Sequence, residues 1–557
     1  PLIAAAVGVG VGMLGILAAA SITDINSTTP VLAVMIGLAV GIDYALFIVS
    51  RAREYLADGV DPAEAAGRAA ATSGGAVVFA GTTVIVALCG LSVAHIRFLT
   101  TMGLASAAVV AVAVLVALTV VPALIGVLGE RLLPRRRKAA TSGADADRRP
   151  ASLWVRAVTR RPWVTIGAVV VLLGLCAVPA SGLRLALTDN GFAEKGSQQR
   201  ETYDAVAAAY GEGYNSPIVV IADVSQPSGS VAAVQGLAQE LSQLDGVEGV
   251  SLATPNEDGT LAFVQIRPEK SQADPATMEL VHSIRSHADD YESRYGLSNV
   301  MVTGQTAVAI DVAEELNAAL IPFGIVVVGL SLILLMVVFR SIAVPVTATL
   351  GYLLSLGAGM GAVGAVFGWG WAADLLAVSK VGAVISFLPV IVMGVLFGLA
   401  MDYQVFLVSR MREEWSRRRG DATPAARHEA AAAAVKAGFL GSAKVVAAAA
   451  VIMTGVFMAF VHTDNVYVKP IALGLTVGIA ADAFLVRMTL IPAIMVALGE
   501  KAWWLPAWLD RLLPVVDVEE ESLEQEEADA GQSVRPETDS VDDQAEDAED
   551  KEAAVVS

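Results

Sequence analysis

Two aspartates stand in the middle of long apolar segments, and each is followed by a tyrosine. The first segment reads Pro30-VLAVMIGLAVGI-Asp43-Tyr44-ALFIVSRAREY, the second Pro389-VIVMGVLFGLAM-Asp402-Tyr403-QVFLVSRMREE. They align without a gap at a spacing of 359 residues, and ten of 26 positions are identical. A carboxylate in hydrocarbon is costly, and such groups commonly mark an ion or proton path. Asp and Phe are four apart in each copy, so Asp43 shares a helix face with Phe47 and Asp402 with Phe406. Tyr44 and Tyr403 lie about 100° round from each aspartate. If the two helices pack across a pseudo-two-fold axis, Asp43 meets Tyr403 and Asp402 meets Tyr44. Two neighbouring carboxyls in a low dielectric cannot both be ionised cheaply, so the pair is expected to take up and release a proton. The alternative is a buried hydrogen-bond network that only fixes helix register.

Further polar residues fall inside apolar segments. Asp482 and Arg487 are five apart in the last one. On an α-helix that spacing does not stack two side chains as an i,i+4 pair would. Arg487 could still reach an adjacent helix or water nearer the cytoplasm. The two either support the carboxylates or form an intrahelical or interfacial charge pair. Thr82 and Thr83 lie mid-span and are candidate relay hydroxyls on a water path to Asp43, although hydroxyls in membrane helices commonly bond their own backbone. Phosphate loops, metal-ligand spacings and Ser-His-Asp arrangements are absent from the sequence. No enzyme activity, metal or organic cofactor is expected, and an ion gradient is the evident energy source. Cys89 and Cys176 both lie in apolar segments, which disfavours a disulfide.

These residues must be positioned by membrane helices. The chain has 557 residues, 55% of them hydrophobic. Ten segments are long enough to span, at about the 20 residues a bilayer needs: 2–20, 31–50, 75–94, 101–127, 163–182, 317–339, 344–367, 385–408, 443–462 and 469–497. The net charge of −19 is concentrated in residues 515–557, which hold 17 acidic and two basic residues. Nothing suggests nucleic-acid binding. Segments 51–72, 131–161 and 410–436 are rich in Arg and lie on one side if the spans alternate, so that side is expected to be cytoplasmic.

The expected organisation has seven parts. Residues 1–130 hold four spans and 131–161 a basic cytoplasmic linker with an interfacial helix. A span at 162–182 leads to an extracytoplasmic α/β domain, 183–316. Five spans follow in 317–500, then an interfacial amphipathic helix at 501–514 and a disordered acidic cytoplasmic tail at 515–557, a candidate site for a cytoplasmic partner. In the α/β domain, strand-helix-strand-strand-helix-strand order points to a split βαβ, ferredoxin-like unit, with one helix over Pro275–Tyr295. The link from Gly368 to Leu388 is expected to form a surface helix. Met102-GLASAAVVAVAVLVALTVV-Pro122-ALIGVLGE resembles Leu473-GLTVGIAADAFLVRMTLI-Pro492-AIMVALGE, so the repeat extends past the Asp-Tyr helices. Motif helices six spans apart run the same way, which makes the repeat parallel. By that symmetry a span and a first α/β domain would precede Pro1, and the sequence reads as truncated at its N-terminus.

With GLAVGIDYALFIVSRAREY, FGLAMDYQVFLVSRMREEW and the last-span segment from Leu473 to Pro514 in view, the chain resembles the MmpL (mycobacterial membrane protein large) family of the RND superfamily. The resemblance covers about residues 1–514 and implies a polytopic α-helical membrane protein. Its transmembrane helices would form an RND-type parallel repeat with an extracytoplasmic α/β porter domain. It implies export of lipids or other hydrophobic molecules across the bacterial plasma membrane, driven by protons. Asp43, Tyr44, Asp402 and Tyr403 would form the relay, with Asp482 and Arg487 in support. Val40, Phe47, Leu399 and Phe406 would line a pocket beside it. The implied partners are membrane lipids and a hydrophobic substrate, with a monomer or homo-oligomer as the working unit. The rival readings are a drug or antibiotic efflux pump of the same superfamily and a non-transporting, sterol-sensing-like sensor or scaffold.

Overall fold

The computed structural model describes residues 1–132, 150–224, 230–419 and 427–513. Ten helices among them are long and apolar enough to cross a bilayer, and the protein is a multi-pass membrane protein. The first four are α1 (Leu2–Ala19), α2 (Thr28–Ala57), α3 (Pro62–Cys89) and α4 (Arg97–Leu128). A short helix, α5 (Pro150–Arg160), precedes the fifth span, α6 (Pro162–Ala177). The α/β domain runs through β1 (Leu185–Ala186), α7 (Gln198–Tyr210), β2 (Ile218–Val224), α8 (Ser230–Leu241), β3 (Val247–Pro255), β4 (Leu261–Pro268), α9 (Pro275–Ser286), α10 (Ala288–Tyr295) and β5 (Leu297–Thr303). Then come α11 (Gln305–Phe339), α12 (Ala343–Val363), β6 (Val384–Ile385), α13 (Leu388–Arg419) and α14 (Arg427–Val461). The tenth span joins α15 (Val468–Ala480), a π-helical stretch (Ala481–Leu490) and α16 (Ile491–Leu498), and α17 (Ala507–Asp510) follows.

The two halves interlock. Helix α3 packs against α13, and α14 packs against α2, so each Asp-Tyr helix is held by the helix that follows the other one. Small residues make this close. A Cβ on Gly398 would stand 2.9 Å from Val84 Cα, so only glycine lets α13 approach α3 here. The repeat extends to local backbone. Gly129 and Gly499 end equivalent spans with φ of 51° and 57°, a conformation that favours glycine.

The sheet order is β3-β4-β2-β5, with every neighbouring pair antiparallel. Two βαβ crossovers are each split by an intervening strand, the ferredoxin-like arrangement. Strand β2 alternates, and Ile218, Val220 and Ala222 face Leu237 and Leu241 of α8 and Val281 and Ile284 of α9. Helix α11 joins this domain to the membrane without a break. Its 35 residues span about 50 Å. Ala307 and Ile310 sit in the α/β core, while Phe323 and Val327 sit in the membrane core. Arg285 of α9 clamps this helix through both oxygens of Asp311, at 2.6 and 2.9 Å.

Several expectations need correction. The helix over Pro275–Tyr295 is two helices, broken at His287, where φ is −101° and ψ 10°. The link before α13 is not a helix. It is a run of turns with Ala372 and Ala377 at positive φ, closed by β6, which pairs in parallel with β1. Tertiary anchors override helix formation there: Lys469 Nζ donates to Leu376 O and Ala377 O, and Gly382 N to Phe367 O. Residues 501–514 are not one helix either. A 3₁₀ turn (Gly499–Trp503) is separated from α17 by Pro506, which lacks the N–H that continuation requires. Arg340 holds α17 in place, donating to Asp510 Oδ1 at 2.8 Å and Asp510 O at 2.7 Å. Most of the expected basic linker (133–149) and the expected disordered tail (515–557) lie outside the described residues.

Candidate functional site

The two Asp-Tyr pairs meet in the middle of the bundle. Tyr44 Oη on α2 donates to Asp402 Oδ2 on α13 at 2.9 Å. Asp43, Tyr44, Asp402 and Tyr403 are 2%, 1%, 8% and 2% exposed. The chain crosses over as the spacing predicts, with Asp402 taken by Tyr44 and Asp43 lying against Tyr403. The second crossing is incomplete. The Tyr403 hydroxyl is directed at Met453 Sδ on α14, and Asp43 Oδ1 is buried without a hydrogen-bond partner. The two carboxyls thus sit in different surroundings although the sequence around them repeats.

Threonine makes the same point. Thr83 Oγ1 donates to Ala80 O at 2.7 Å and lies 3.3 Å from Asp402 Oδ1. It stands beside Asp402, not Asp43, because α3 packs on α13. Thr82 points the other way. It is exposed on the outside of the bundle and donates to Val78 O at 2.7 Å, so it belongs to no internal path. Asp402 therefore accepts from a phenol and has a threonine hydroxyl beside its other oxygen, whereas Asp43 Oδ1 has no hydrogen-bond partner.

The charged pair of the last span is brought together by an unusual backbone. Residues 481–490 are π-helical. Hydrogen bonding from i to i+5 places side chains five apart nearly on one face. Arg487 Nε donates to Asp482 Oδ2 within the helix, and both residues are buried. Of the two arrangements open from the sequence, the structure shows the intrahelical pair, and the π stretch is what allows it at a spacing of five. It still touches the relay cluster: its guanidinium lies 5.7 Å from the centre of the Tyr403 ring, a cation–π distance. Ser355 of α12 lies 3.4 Å from the other Asp482 oxygen.

A cleft of about 350 Å³ opens beside the cluster, walled by Tyr44, Phe47, Phe79, Asp402, Val405 and Phe406. The rings of Phe47 and Phe406 meet edge to face at 5.0 Å, and Phe47 stacks towards Tyr403 at 6.5 Å. Val40 and Leu399 do not line it. They are 0% and 3% exposed and packed in the core, one turn earlier on their helices. Met453, Ser355 and Gln404 escaped the sequence reading. Gln404 is 1% exposed with Nε2 unpartnered, at the position of Ala45 in the first copy. A polar residue that breaks the repeat beside the motif was the signal for it.

The MMPL family model matches residues 1–165 and 194–514. The chain belongs to the MMPL family. It is 40% identical to membrane protein YdfJ of Bacillus subtilis, over 94% of this chain and 70% of that protein. It is 31% identical to the mycolic acid-containing lipids exporter MmpL11 of Mycolicibacterium smegmatis, over 87% of this chain and 50% of that one. The chain thus spans about half the length of that MMPL relative. Among solved structures it resembles the hedgehog release protein Disp of the water bear Hypsibius dujardini, with a TM-score of 0.51 and 12% identity over 85% of this chain and 64% of that one. That likeness is one of fold and agrees with the RND-type membrane architecture.

Proposed function

We propose that this MMPL chain exports lipids or other hydrophobic molecules across the bacterial plasma membrane, driven by the proton gradient. The observation that carries the reading is the buried Tyr44–Asp402 hydrogen bond between duplicated helices, with Asp43 Oδ1 unpartnered next to it. Among the described residues three carboxyls, Asp43, Asp402 and Asp482, are buried against one buried guanidinium, Arg487, and Asp482 already engages it. A proton on the Asp43–Asp402 pair removes an uncompensated charge from hydrocarbon, and its departure restores one. That difference is large enough to shift helix packing. In the cycle, a proton reaches the Asp-Tyr cluster from the α/β-domain side, α2 and α13 shift, and the α/β domain follows through α11. The proton then leaves towards the basic loops, which are the cytoplasmic face. Asp482 and Arg487 hold the Tyr403 side of the cluster in place. The naming of an MMPL relative as a lipid exporter supports the substrate class.

The test is proton flux in proteoliposomes. Flux that rises when a lipid substrate is present supports the reading, and flux indifferent to every lipid offered refutes coupled export. The threonines give a sharper comparison. Thr83→Val removes a hydroxyl from Asp402 and is expected to slow coupled flux several-fold, at a stability cost of about 1 kcal/mol. Thr82→Val is expected to change neither. Equal effects of the two substitutions on flux would contradict the geometry.

A further inference from the structure

A second cleft, of about 430 Å³, opens at the α/β-domain end of the bundle. Three segments meet there: the stem of the α/β domain (Thr188, Phe192), the link before α13 (Ser379, Lys380) and the approach to the last span (Asp464, Lys469). Lys469 is only 7% exposed. It donates to Leu376 O at 3.1 Å and Ala377 O at 2.8 Å, which leaves one of its three protons. Among the described residues no carboxylate oxygen lies within 4.0 Å of it. Lys380 stands 5.0 Å from the centre of the Phe192 ring and, among the described residues, has no carboxylate partner either. Asp464 is exposed at the rim. Two ammonium groups against one carboxylate leave the cleft with an excess positive charge, one of the cations nearly buried.

An ammonium withdrawn from water without a counter-charge is costly. An anion seated between Lys380 and Lys469 supplies that charge, and the Thr188 and Ser379 hydroxyls add hydrogen-bonding groups. The cleft lies at the membrane boundary, because Gly368 closes the seventh span and Val468 opens the tenth on either side of it. Trp369 and Trp371, 47% and 64% exposed on the same link, are residues suited to the headgroup layer. Phe192, Phe367 and Ile385 give the cleft an apolar wall. We propose that this cleft binds a phosphate monoanion, supplied by the headgroup of an anionic membrane lipid, with Lys380 and Lys469 as its cationic donors. Asp464 at the rim disfavours a more highly charged anion. The site stands whether or not the chain exports lipid.

Delipidated protein in detergent, titrated with phosphatidylglycerol or phosphatidylcholine and followed by native mass spectrometry, tests the site. Phosphatidylglycerol is expected to be retained preferentially, with affinity about tenfold lower in Lys380→Gln, the loss of one charge-assisted contact. Lys380 is half-buried, so an unchanged thermal midpoint is expected for that variant. Lys469→Met tests the buried member. Inorganic phosphate as a competitor separates the sources. Weak competition assigns the headgroup. Competition as strong as that of the lipid assigns a free anion and overturns the lipid source. Equal retention of phosphatidylglycerol by the unaltered protein, Lys380→Gln and Lys469→Met overturns the site altogether.

Discussion

Asp402→Asn is expected to reduce coupled export to background while folded protein accumulates normally. The amide has nearly the size of the carboxyl and can still accept from the Tyr44 hydroxyl, so the packing around it is kept. The stability change is expected to stay within about 1 kcal/mol, the net worth of one hydrogen bond. What the amide cannot do is bind and release a proton. Substrate-dependent proton flux in proteoliposomes, read beside thermal unfolding in detergent, separates the two effects. Undiminished export by Asp402→Asn would remove the proton from the account. Tyr44→Phe is the milder companion. It leaves the carboxyl titratable but takes away its phenol donor, so partial flux is expected.

The second large effect is expected at Arg487. Arg487→Met leaves Asp482 buried without its cation, and breaking a buried pair from one side costs about 3–5 kcal/mol. Removing both charges, with Asp482→Asn and Arg487→Met together, is expected to recover most of that loss. Such a cycle isolates the coupling between neighbours. If the pair also holds Tyr403, the double variant regains stability without regaining transport. A double variant that restores both would reduce the pair to a structural staple.

The sequence showed the central site because its signal is repeated and periodic. A carboxylate, a tyrosine one residue on and a phenylalanine one turn on, found twice at one depth, leave few arrangements open, and Tyr44 meets Asp402 as that spacing requires. The membrane spans were legible for the same reason, since hydropathy over some twenty residues reports a solvent. What was not legible depends on contacts made at a distance. Nothing in Ala481–Leu490 announces a π-helical backbone, and without it Asp482 and Arg487 do not share a face. Thr82 and Thr83 differ by one step round a helix, and only the packing of α3 on α13 decides which faces the site. The extra length of the link before α13 suggested a surface helix, but Lys469 and strand β1 hold it in turns.

The pairing of β1 with β6 has a mechanical consequence. Val384 N donates to Arg184 O at 2.8 Å and Ser386 N to Ala186 O at 3.1 Å, immediately ahead of the helix that bears Asp402. A two-rung ladder of this kind tolerates twisting, but sliding by one residue would turn its side chains to the opposite face. Sliding of the Asp402 helix past the base of the α/β domain would have to break both rungs together, so the ladder ties the two in one register.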